Sequence, residues 1–244
     1  MRIAVVSDIH ANLTALEAVI EAIRRTGVDL VVHGGDLMAG GRRPAEVIDR
    51  IRELNWPGVY GNTDEMLWMP HRVAEMLQAP DLHRIRDLVL EHTIPATLGA
   101  IGDERLAWLK TLPRRWCEGE VAIVHATPDD VWPIVSSNAS DEELDRVYSV
   151  LQSKLVVYRH IHQPFVRWLP AFTVVNSGAV SLSYDGDPRA AYALIDDGRA
   201  EIRRVGYDID DEIRLLRDSD DPFAESTAET LRTGRYAPLR HVGP

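Results

Sequence analysis

Side chains that can bind metal ions stand at the ends of several apolar runs in this chain, and each of these runs is typical of a β-strand. They carry carboxylate, carboxamide or imidazole groups: Asp8, His10, Asp36, Asn62, His125, His160 and His162. Because no single element holds the set, strand ends far apart in sequence must meet at one edge of a sheet, where open α/β folds place their ligands. Oxygen and imidazole donors without thiolates suit two divalent metal ions such as Mn²⁺, Fe²⁺ or Zn²⁺ rather than a structural zinc cage.

The first sixty residues alternate strand and helix patterns. Apolar residues between Leu13 and Ile23 recur at helical spacing, with Asn12 placed to cap that helix and Gly27 to end it. Pro44 suits the first position of a second helix. The apolar runs RIAVVS, DLVVHGGD and GVYGN predict three strands around these helices. This β-α-β-α-β order predicts a parallel sheet with right-handed crossovers.

The rest of the chain divides into a helical part, residues 64–113, and a part rich in short strands. The strands predicted from about Arg115 onward are RRWCEG, VAIVHA, KLVVY, FVRWL, FTVVNSG, AVSLSY, AAYALID and AEIRRVGY. One helix, DEELDRVYSVLQ, interrupts them, and turns at 185–187 and 197–198 predict hairpins. The prediction is a single α/β domain over residues 1–244, with two facing mixed sheets flanked by helices in four layers. Peripheral helices are expected at about 208–233 and a frayed tail at 238–244.

Charge and cysteine content exclude several classes of protein. The net charge of −11 argues against nucleic-acid binding. Two metal ions would still attract an anionic phosphate. Cys117 is the only cysteine, which excludes an intramolecular disulfide. No apolar run approaches the ~18 residues of a membrane span, and no signal peptide is evident. A cytoplasmic protein without a membrane partner is therefore expected, and homo-oligomerisation is left open.

Five segments occur in the order and spacing of a known family: SDIHANLTAL (7–16), HGGDLMAGG (33–41), VYGNTDE (59–65), VHATPDD (124–130) and RHIHQP (159–164). They cover most of the chain from Met1 to about Ser183. On these motifs the chain resembles the calcineurin-like metallophosphoesterases, most closely the small bacterial and archaeal branch that contains the diadenosine tetraphosphatase-like proteins. The resemblance implies hydrolysis of a phosphomonoester or phosphodiester of a small molecule or nucleotide by metal-hydroxide attack.

The resemblance also implies a role for each ligand. Asp36 is expected to bridge both ions and to be catalytic, together with Asn62 and His125. The other ligands divide between the ions, with His162 completing the first site and Asn62, His125 and His160 completing the second. From the residues alone, Asp8 and His10 lie two positions apart and would point the same way on a regular strand. His160 and His162 are neighbours on a turn, from which their rings can diverge toward different ions.

The expected substrate contacts are Asn12, Asn62, Arg159 and Trp132. Asn12 suits both a helix cap and a phosphate contact, and the two roles do not conflict. Arg159 stands where relatives have glycine; it could contact phosphate or pair with Asp64, but a solvent-facing side chain is favoured. Trp132, like Trp68, could stack a nucleobase, although such tryptophans more often pack beneath a loop.

The proton donor for the leaving group is the main departure from the family pattern. Thr63 stands where many relatives have a histidine beside the leaving group. Asp64 is the only nearby substitute in sequence, and it could act as the catalytic acid only if burial or charge raised its pKa. A carboxylate that is solvated or paired with Arg159 is the favoured alternative. His33 matches no ligand position and is expected to be structural.

Two other functions compete with that of a general phosphoesterase. A diadenosine-polyphosphate hydrolase would attack an anhydride instead of an ester. A non-catalytic metal-binding scaffold of the same fold would bind ions without turnover. The presence of every ligand type argues against the scaffold, while Thr63 leaves it open.

Overall fold

The computed structural model describes residues 1–238, so the predicted tail lies outside it from Leu239 onward. Within this range the strands form two sheets. Their bounds are β1 (Arg2–Val6), β2 (Leu30–His33), β3 (Arg115–Glu118), β4 (Val121–Val124), β5 (Leu155–Tyr158), β6 (Phe165–Trp168), β7 (Thr173–Asn176), β8 (Ala190–Asp196) and β9 (Arg199–Val205).

Both sheets are mixed. The first sheet has the order β2-β1-β8-β9, in which β1 and β2 are parallel and the other neighbours are antiparallel. The second sheet has the order β3-β4-β5-β7-β6, with parallel central strands between antiparallel edge strands. The parallel pairs place the carboxyl ends of β1 and β2, and those of β4 and β5, side by side.

The two sheets face each other across a shared apolar layer. Ile3 and Val5 of β1 pack in this layer with Val157 of β5. Successive strand residues point to opposite faces, so Ala4 and Val6 pack instead among helix residues on the outer side of the first sheet. The predicted α/β architecture, with two mixed sheets flanked by helices, is confirmed.

Helices cover the outer faces of both sheets. Their bounds are α1 (Leu13–Thr26), α2 (Pro44–Glu53), α3 (Asn62–Glu65), α4 (His71–Met76), α5 (His83–Leu88), α6 (Ile94–Leu109), α7 (Asp141–Tyr148), α8 (Ile209–Arg217) and α9 (Ala224–Thr233). Residues of α1, α2 and α6 pack on the first sheet, and residues of α7 pack on the second. In the described part of the chain, no helix has both the length and the apolar character that crossing a membrane requires.

Both ends of α1 follow the sequence signals. The side-chain oxygen of Asn12 accepts a hydrogen bond from the N–H of Ala15 at 2.9 Å. Gly27 ends the helix with a φ of 69°, and its N–H donates to the carbonyl oxygen of Ile23. The predicted cap and stop are therefore confirmed.

The predicted third strand, GVYGN, is wrong. Only Gly58 forms a bridge, to His33 at the end of β2. The preceding Pro57 has no N–H with which to extend a ladder, and the N–H of Tyr60 donates to the carbonyl oxygen of Pro113 instead. The chain therefore leaves the sheet and turns into α3. His33 itself is fully buried.

The predicted strand AVSLSY is also wrong. The N–H groups of Val180 and Ser181 donate to the carbonyl oxygens of Ser7 and Asp8, each at 2.9 Å. These bonds tie the segment to the loop after β1 and leave it outside both sheets. Without that strand no hairpin forms at 185–187, whereas the hairpin predicted at 197–198 is confirmed between β8 and β9.

Candidate metal centre

Strand ends and one short helix bring the predicted ligands to one place. The structure sorts six of them into two groups, in each of which the ligand atoms lie within 4.8 Å of one another. The first cluster consists of Asp8, His10 and His162. The second cluster consists of Asp36, His125 and His160. Asn62, the first residue of α3, contacts the second cluster.

Left-handed backbone turns aim many of these side chains. The φ values are 53° for Asp8, 50° for His10, 53° for Asp36, 73° for His160 and 55° for His162. Such values cost of order ~1–3 kcal/mol in residues other than glycine and persist where the surrounding fold enforces them. Because β1 ends at Val6, Asp8 and His10 lie beyond the strand, and turns rather than strand alternation bring them together. Sharp turns bring both into the first cluster, and they send His160 and His162 to different clusters.

Several acceptor atoms of the first cluster have no hydrogen-bond donor. Nδ1 of His10 lies 2.8 Å from the carbonyl oxygen of Ala39, and Nδ1 of His162 lies 2.6 Å from that of Leu182. A carbonyl oxygen only accepts, so both Nδ1 atoms carry the proton and both Nε2 atoms are bare in the neutral rings. The two Nε2 atoms are 3.2 Å apart. Both oxygens of the fully buried Asp8 also lack a hydrogen bond. This arrangement suits a cation.

Asp36 lies between the two clusters. Its Oδ1 atom accepts a hydrogen bond from the N–H of Thr63 at 2.9 Å and lies 3.5 Å from Nε2 of His125. Its Oδ2 atom lies 3.8 Å from Nε2 of His10, in the first cluster. One carboxylate thus faces imidazoles of both clusters.

The rest of the second cluster is similarly oriented. Nδ1 of His125 lies 2.9 Å from the carbonyl oxygen of Gly34, which leaves Nε2 free to accept. That Nε2 lies 3.0 Å from Oδ1 of Asn62. Nε2 of His160 is buried without a hydrogen-bond partner. Three acceptor atoms are therefore available to one ion.

Burial lowers the pKa of two of the imidazoles and so favours the neutral form that binds metal. It lowers the pKa of His160 to about 4, with a further contribution from His125. It also lowers the pKa of His10, with His162 contributing. For His162, burial again lowers the pKa, but the Asp8 carboxylate at 3.2 Å and other acceptors outweigh it and the pKa is raised. Protons therefore compete with a metal more strongly at His162 than at His160.

Asp64 is fully buried, so the expected solvated carboxylate is wrong. Its two oxygens accept hydrogen bonds from the N–H groups of Asp36, Leu37, Met38 and Gly61, at 2.9 to 3.2 Å. Burial and the Asp36 carboxylate raise the pKa of Asp64 to about 7, while the backbone donors and His125 act in the opposite direction. Asp64 thus joins the turn that carries Asp36 to the start of α3. Its role as the catalytic acid stays a prediction.

Arg159 is fully buried, so the favoured solvent-facing side chain is also wrong. Nη1 donates to the carbonyl oxygen of Tyr158 at 3.3 Å, while Nε and Nη2 lack a hydrogen-bond partner. Among the described residues no ion pair joins Arg159 to Asp64, because the backbone donors already occupy that carboxylate. The guanidinium lies against Gly34, where a Cβ atom would be 2.2 Å from Nε. The predicted phosphate contact of Arg159 stays a prediction.

The other predicted substrate contacts have partners within the protein. Nε1 of Trp132 donates to Glu65 at 2.7 Å, and the guanidinium of Arg72 lies 5.7 Å from the ring centroid. Nδ2 of Asn12 donates to Oγ of Ser181 at 3.0 Å. These contacts support structural roles, and the predicted substrate roles of both residues stay predictions.

Sequence reasoning missed Tyr184, whose ring stacks on His162 with centroids 4.4 Å apart and planes 15° apart. It lies in the segment that was predicted to be a strand, and no motif includes it. The hydrogen bond from the N–H of Tyr184 to the carbonyl oxygen of His162, at 3.2 Å, is a tertiary contact without a sequence signature.

Comparison with known proteins agrees with this geometry. The calcineurin-like phosphoesterase superfamily domain matches residues 1–198. The chain is 29% identical over 230 residues to the protein MJ0912 of Methanocaldococcus jannaschii. The alignment covers 85% of this chain and 88% of that protein.

Two crystal structures are similar along nearly the whole chain. A metallophosphoesterase from Sphaerobacter thermophilus superposes with a TM-score of 0.78 and 28% identity, covering 96% of this chain and 100% of that one. The protein PH1004 from Pyrococcus horikoshii OT3 has a TM-score of 0.75 and 20% identity, covering 99% and 98%. The resemblance predicted from the motifs is confirmed, and the chain belongs to the calcineurin-like phosphoesterase superfamily.

Proposed function

We propose that this chain hydrolyses a phosphomonoester or phosphodiester of a small molecule or nucleotide at a site for two divalent metal ions. The observation that carries the proposal is the position of the Asp36 carboxylate. One of its oxygens lies 3.5 Å from Nε2 of His125, and the other lies 3.8 Å from Nε2 of His10. A single anionic group can therefore serve both clusters.

The donor groups fit divalent cations. Asp8 offers two buried oxygens without hydrogen bonds, and His160 offers a buried Nε2 without a partner. Groups left in this state are costly, and a bound cation would compensate them. Oxygen and imidazole donors favour Mn²⁺, Fe²⁺ or Zn²⁺. Two such cations would lower the pKa of a shared water and neutralise charge on the phosphate oxygens.

The protein fixes the donor atoms before a substrate arrives. Backbone carbonyl oxygens hold the Nδ1–H groups of His10, His125 and His162, so each Nε2 faces the site as an acceptor. Asp64 fixes the turn that carries Asp36. Electrostatic attraction for an anionic phosphate is strengthened in this buried setting, because water screens it less than at the surface.

The leaving group receives little help from Thr63. The hydroxyl of Thr63 donates to the carbonyl oxygen of Met38 at 2.9 Å, so its proton is already committed. A positioned general acid is typically worth ~10²–10⁴-fold for a poor leaving group. We therefore expect aryl phosphates, whose leaving groups depart unprotonated, to be hydrolysed much faster than alkyl phosphates.

The test is a substrate panel on protein that has been stripped of metal and reconstituted with Mn²⁺. It contains aryl monoesters and diesters, nucleotides, cyclic nucleotides and diadenosine polyphosphates. We expect hydrolysis that requires Mn²⁺ and favours aryl esters.

Two results would replace the proposal. Exclusive cleavage of diadenosine polyphosphates would make the chain an anhydride hydrolase. Binding of two metals with no turnover of any substrate would make it a metal-binding scaffold. The cytoplasmic location stays a prediction, and homo-oligomerisation stays open.

A further inference from the structure

A row of aromatic rings leads from the first cluster to the protein surface. The ring of His162 stacks on Tyr184 at a centroid distance of 4.4 Å. The rings of Tyr184 and Tyr236 form a T-shaped pair with centroids 5.4 Å apart. Tyr236 is 58% exposed, although aromatic rings of this size are usually well covered. An open aromatic ring thus lies two ring contacts away from a predicted metal ligand.

The segment that carries Tyr184 is fixed in place. Oγ of Ser183 donates to Oδ1 of Asp185 at 2.7 Å, and Arg204 of β9 forms an ion pair with the same carboxylate. The backbone N–H of Tyr184 donates to the carbonyl oxygen of His162. The ring is therefore held against the first cluster before any substrate binds.

The turn after α9 fixes Tyr236 against the same segment. The N–H of Gly186 donates to the carbonyl oxygen of Gly234 at 2.7 Å, and the N–H of Ala237 donates to Oγ1 of Thr230 at 3.1 Å. Gly234 has a φ of 63°, and a Cβ atom there would lie 2.6 Å from the carbonyl carbon of Asp187. Hydrogen bonds of the turn, more than burial of the ring, thus fix the position of Tyr236.

The other aromatic residues near the centre are already engaged. The indole of Trp132 donates to Glu65 and lies beneath Arg72, and Trp68 packs edge-on against Tyr60. Neither ring is among the large exposed apolar side chains of the described residues, whereas Tyr236 is.

We propose that Tyr236, supported by Tyr184, forms a stacking wall for the nucleobase of a nucleotide substrate whose phosphate binds at the metal centre. This inference rests on the proposed function, because that function places the phosphate beside His162. Stacking on an aromatic side chain tolerates any base, since every base has a π-face. Tyrosine adds a rigid apolar surface at low cost in conformational entropy. The wall selects nucleotides over phosphate esters of the same sugar that lack a base.

The test uses two ligands that differ only in the base: the non-hydrolysable methylene phosphonate analogues of adenosine 5′-phosphate and of ribose 5-phosphate. Their affinities for the Mn²⁺-loaded protein are measured by calorimetry. We expect the adenosine compound to bind about tenfold more tightly, as stacking of one base allows. Tyr236→Ala should reduce this ratio to near one, and Tyr236→Phe should preserve it.

Two further variants separate stacking from general damage. Trp168→Ala removes another ring, 75% exposed at the edge of the second sheet, and should leave the ratio unchanged. Gly234→Ala should lower the ratio, because the added Cβ displaces the turn that carries Tyr236. Metal content and the fraction of folded protein at the assay temperature are recorded for every variant, so that a lost ratio is assigned to stacking only where both match the wild type.

The inference and the proposed function fail in different ways. Equal affinity of the wild type for both ligands, or an adenosine preference that survives in a folded Tyr236→Ala variant, overturns the stacking wall even if esters are hydrolysed. Absence of hydrolysis in the substrate panel overturns the proposed function, while the binding ratio still decides whether the wall exists.

Discussion

The two clusters use similar side chains but are held in different ways. In the second cluster, Asp36 accepts a hydrogen bond from the N–H of Thr63, and Asp64 binds the turn that carries Asp36. In the first cluster, neither oxygen of Asp8 accepts a hydrogen bond, and imidazole nitrogens face each other at 3.2 Å. A backbone donor thus holds the carboxylate of the second cluster, whereas the carboxylate of the first cluster has no donor among the described residues. A buried carboxylate without a donor would gain more from a bound cation than a carboxylate that already accepts a backbone hydrogen bond.

The largest expected effect comes from the residue that the two clusters share. Asp36→Asn removes an anionic ligand that faces both, so we expect loss of both metals. The fall in kcat should be at least about 100-fold, the upper range for residues that merely support a ligand. Metal content by mass spectrometry and turnover of an aryl phosphate are the measurements. Asp49→Asn, an exposed helix carboxylate paired with Arg105, is the matched control. Two tightly bound metals with near-normal turnover would refute the bridging role.

The second expected effect tests the backbone scaffold of the second cluster. Asp64→Asn replaces an acceptor-only carboxylate by an amide whose NH₂ would face backbone N–H donors. We expect a loss of about 2–3 kcal/mol of unfolding free energy in urea, typical of a hydrogen bond to a charged group. Metal-free wild type is the reference state, so that metal binding does not mask the change.

The same variant also decides the question of the proton donor. We expect log(kcat/KM) to depend steeply on leaving-group pKa in the wild type, and to keep the same slope in Asp64→Asn at a lower overall rate. A shallow wild-type slope that steepens in the variant would instead make Asp64 the general acid.

The third expected effect is a gain in unfolding free energy, and it concerns a residue of the first cluster. Asp8→Asn removes a buried charge without hydrogen bonds and supplies an N–H that can donate to Nε2 of His162, 3.2 Å from Oδ1 in the wild type. At pH 9 with chelator, well above the ordinary pKa of an imidazole, we expect the variant to gain about 1–3 kcal/mol of unfolding free energy. Asp36→Asn should change the same quantity less, because its carboxylate already has a backbone donor. If metal-free Asp8→Asn is less stable than the wild type, the contrast between the clusters does not hold.

The smallest expected effect concerns the aromatic side chains around the two clusters, Trp132 beside the second cluster and Tyr236 beside the first. Trp132→Phe removes the hydrogen bond to Glu65 on the side of the second cluster, at a cost of about 1 kcal/mol in stability. The preference for adenosine over ribose phosphonate should be unchanged, since Tyr236 supplies it from the side of the first cluster. Because phenylalanine keeps a ring that can stack, Trp132→Leu is measured as well, and a lost preference in that folded variant would assign base recognition to the rim of the second cluster.

The residues that meet in the two clusters could be predicted, because their sequence signals are local. Each ligand follows an apolar run, and the family motifs fix their order along the chain. The grouping into two clusters follows from the family resemblance, but the backbone geometry behind it does not, because Asp8 and His10 meet through left-handed turns and not through the alternation of a strand. A residue's φ depends on the contacts that enforce it, and residue type alone does not reveal those contacts.

The residues around the ligands were predicted less well. Asp64 and Arg159 were expected at the surface, since charged side chains usually lie there. The fold buries Asp64 among backbone donors that arrive from two separate segments, and it buries Arg159 beside a glycine that leaves room for it. Tyr184 gave no signal, because its partner His162 is a neighbour only in space.

The sequence by itself determined the family, the α/β class, the caps of α1 and the order of the ligands, because apolar periodicity and turn residues act over a few positions. Only the tertiary structure decided that GVYGN and AVSLSY are not strands, since each needed backbone partners that other segments supply or withhold. It alone decided that Asp64 and Arg159 are buried and which aromatic ring stays open at the surface. Those outcomes depend on hydrogen bonds and burial between distant segments, which no local pattern encodes.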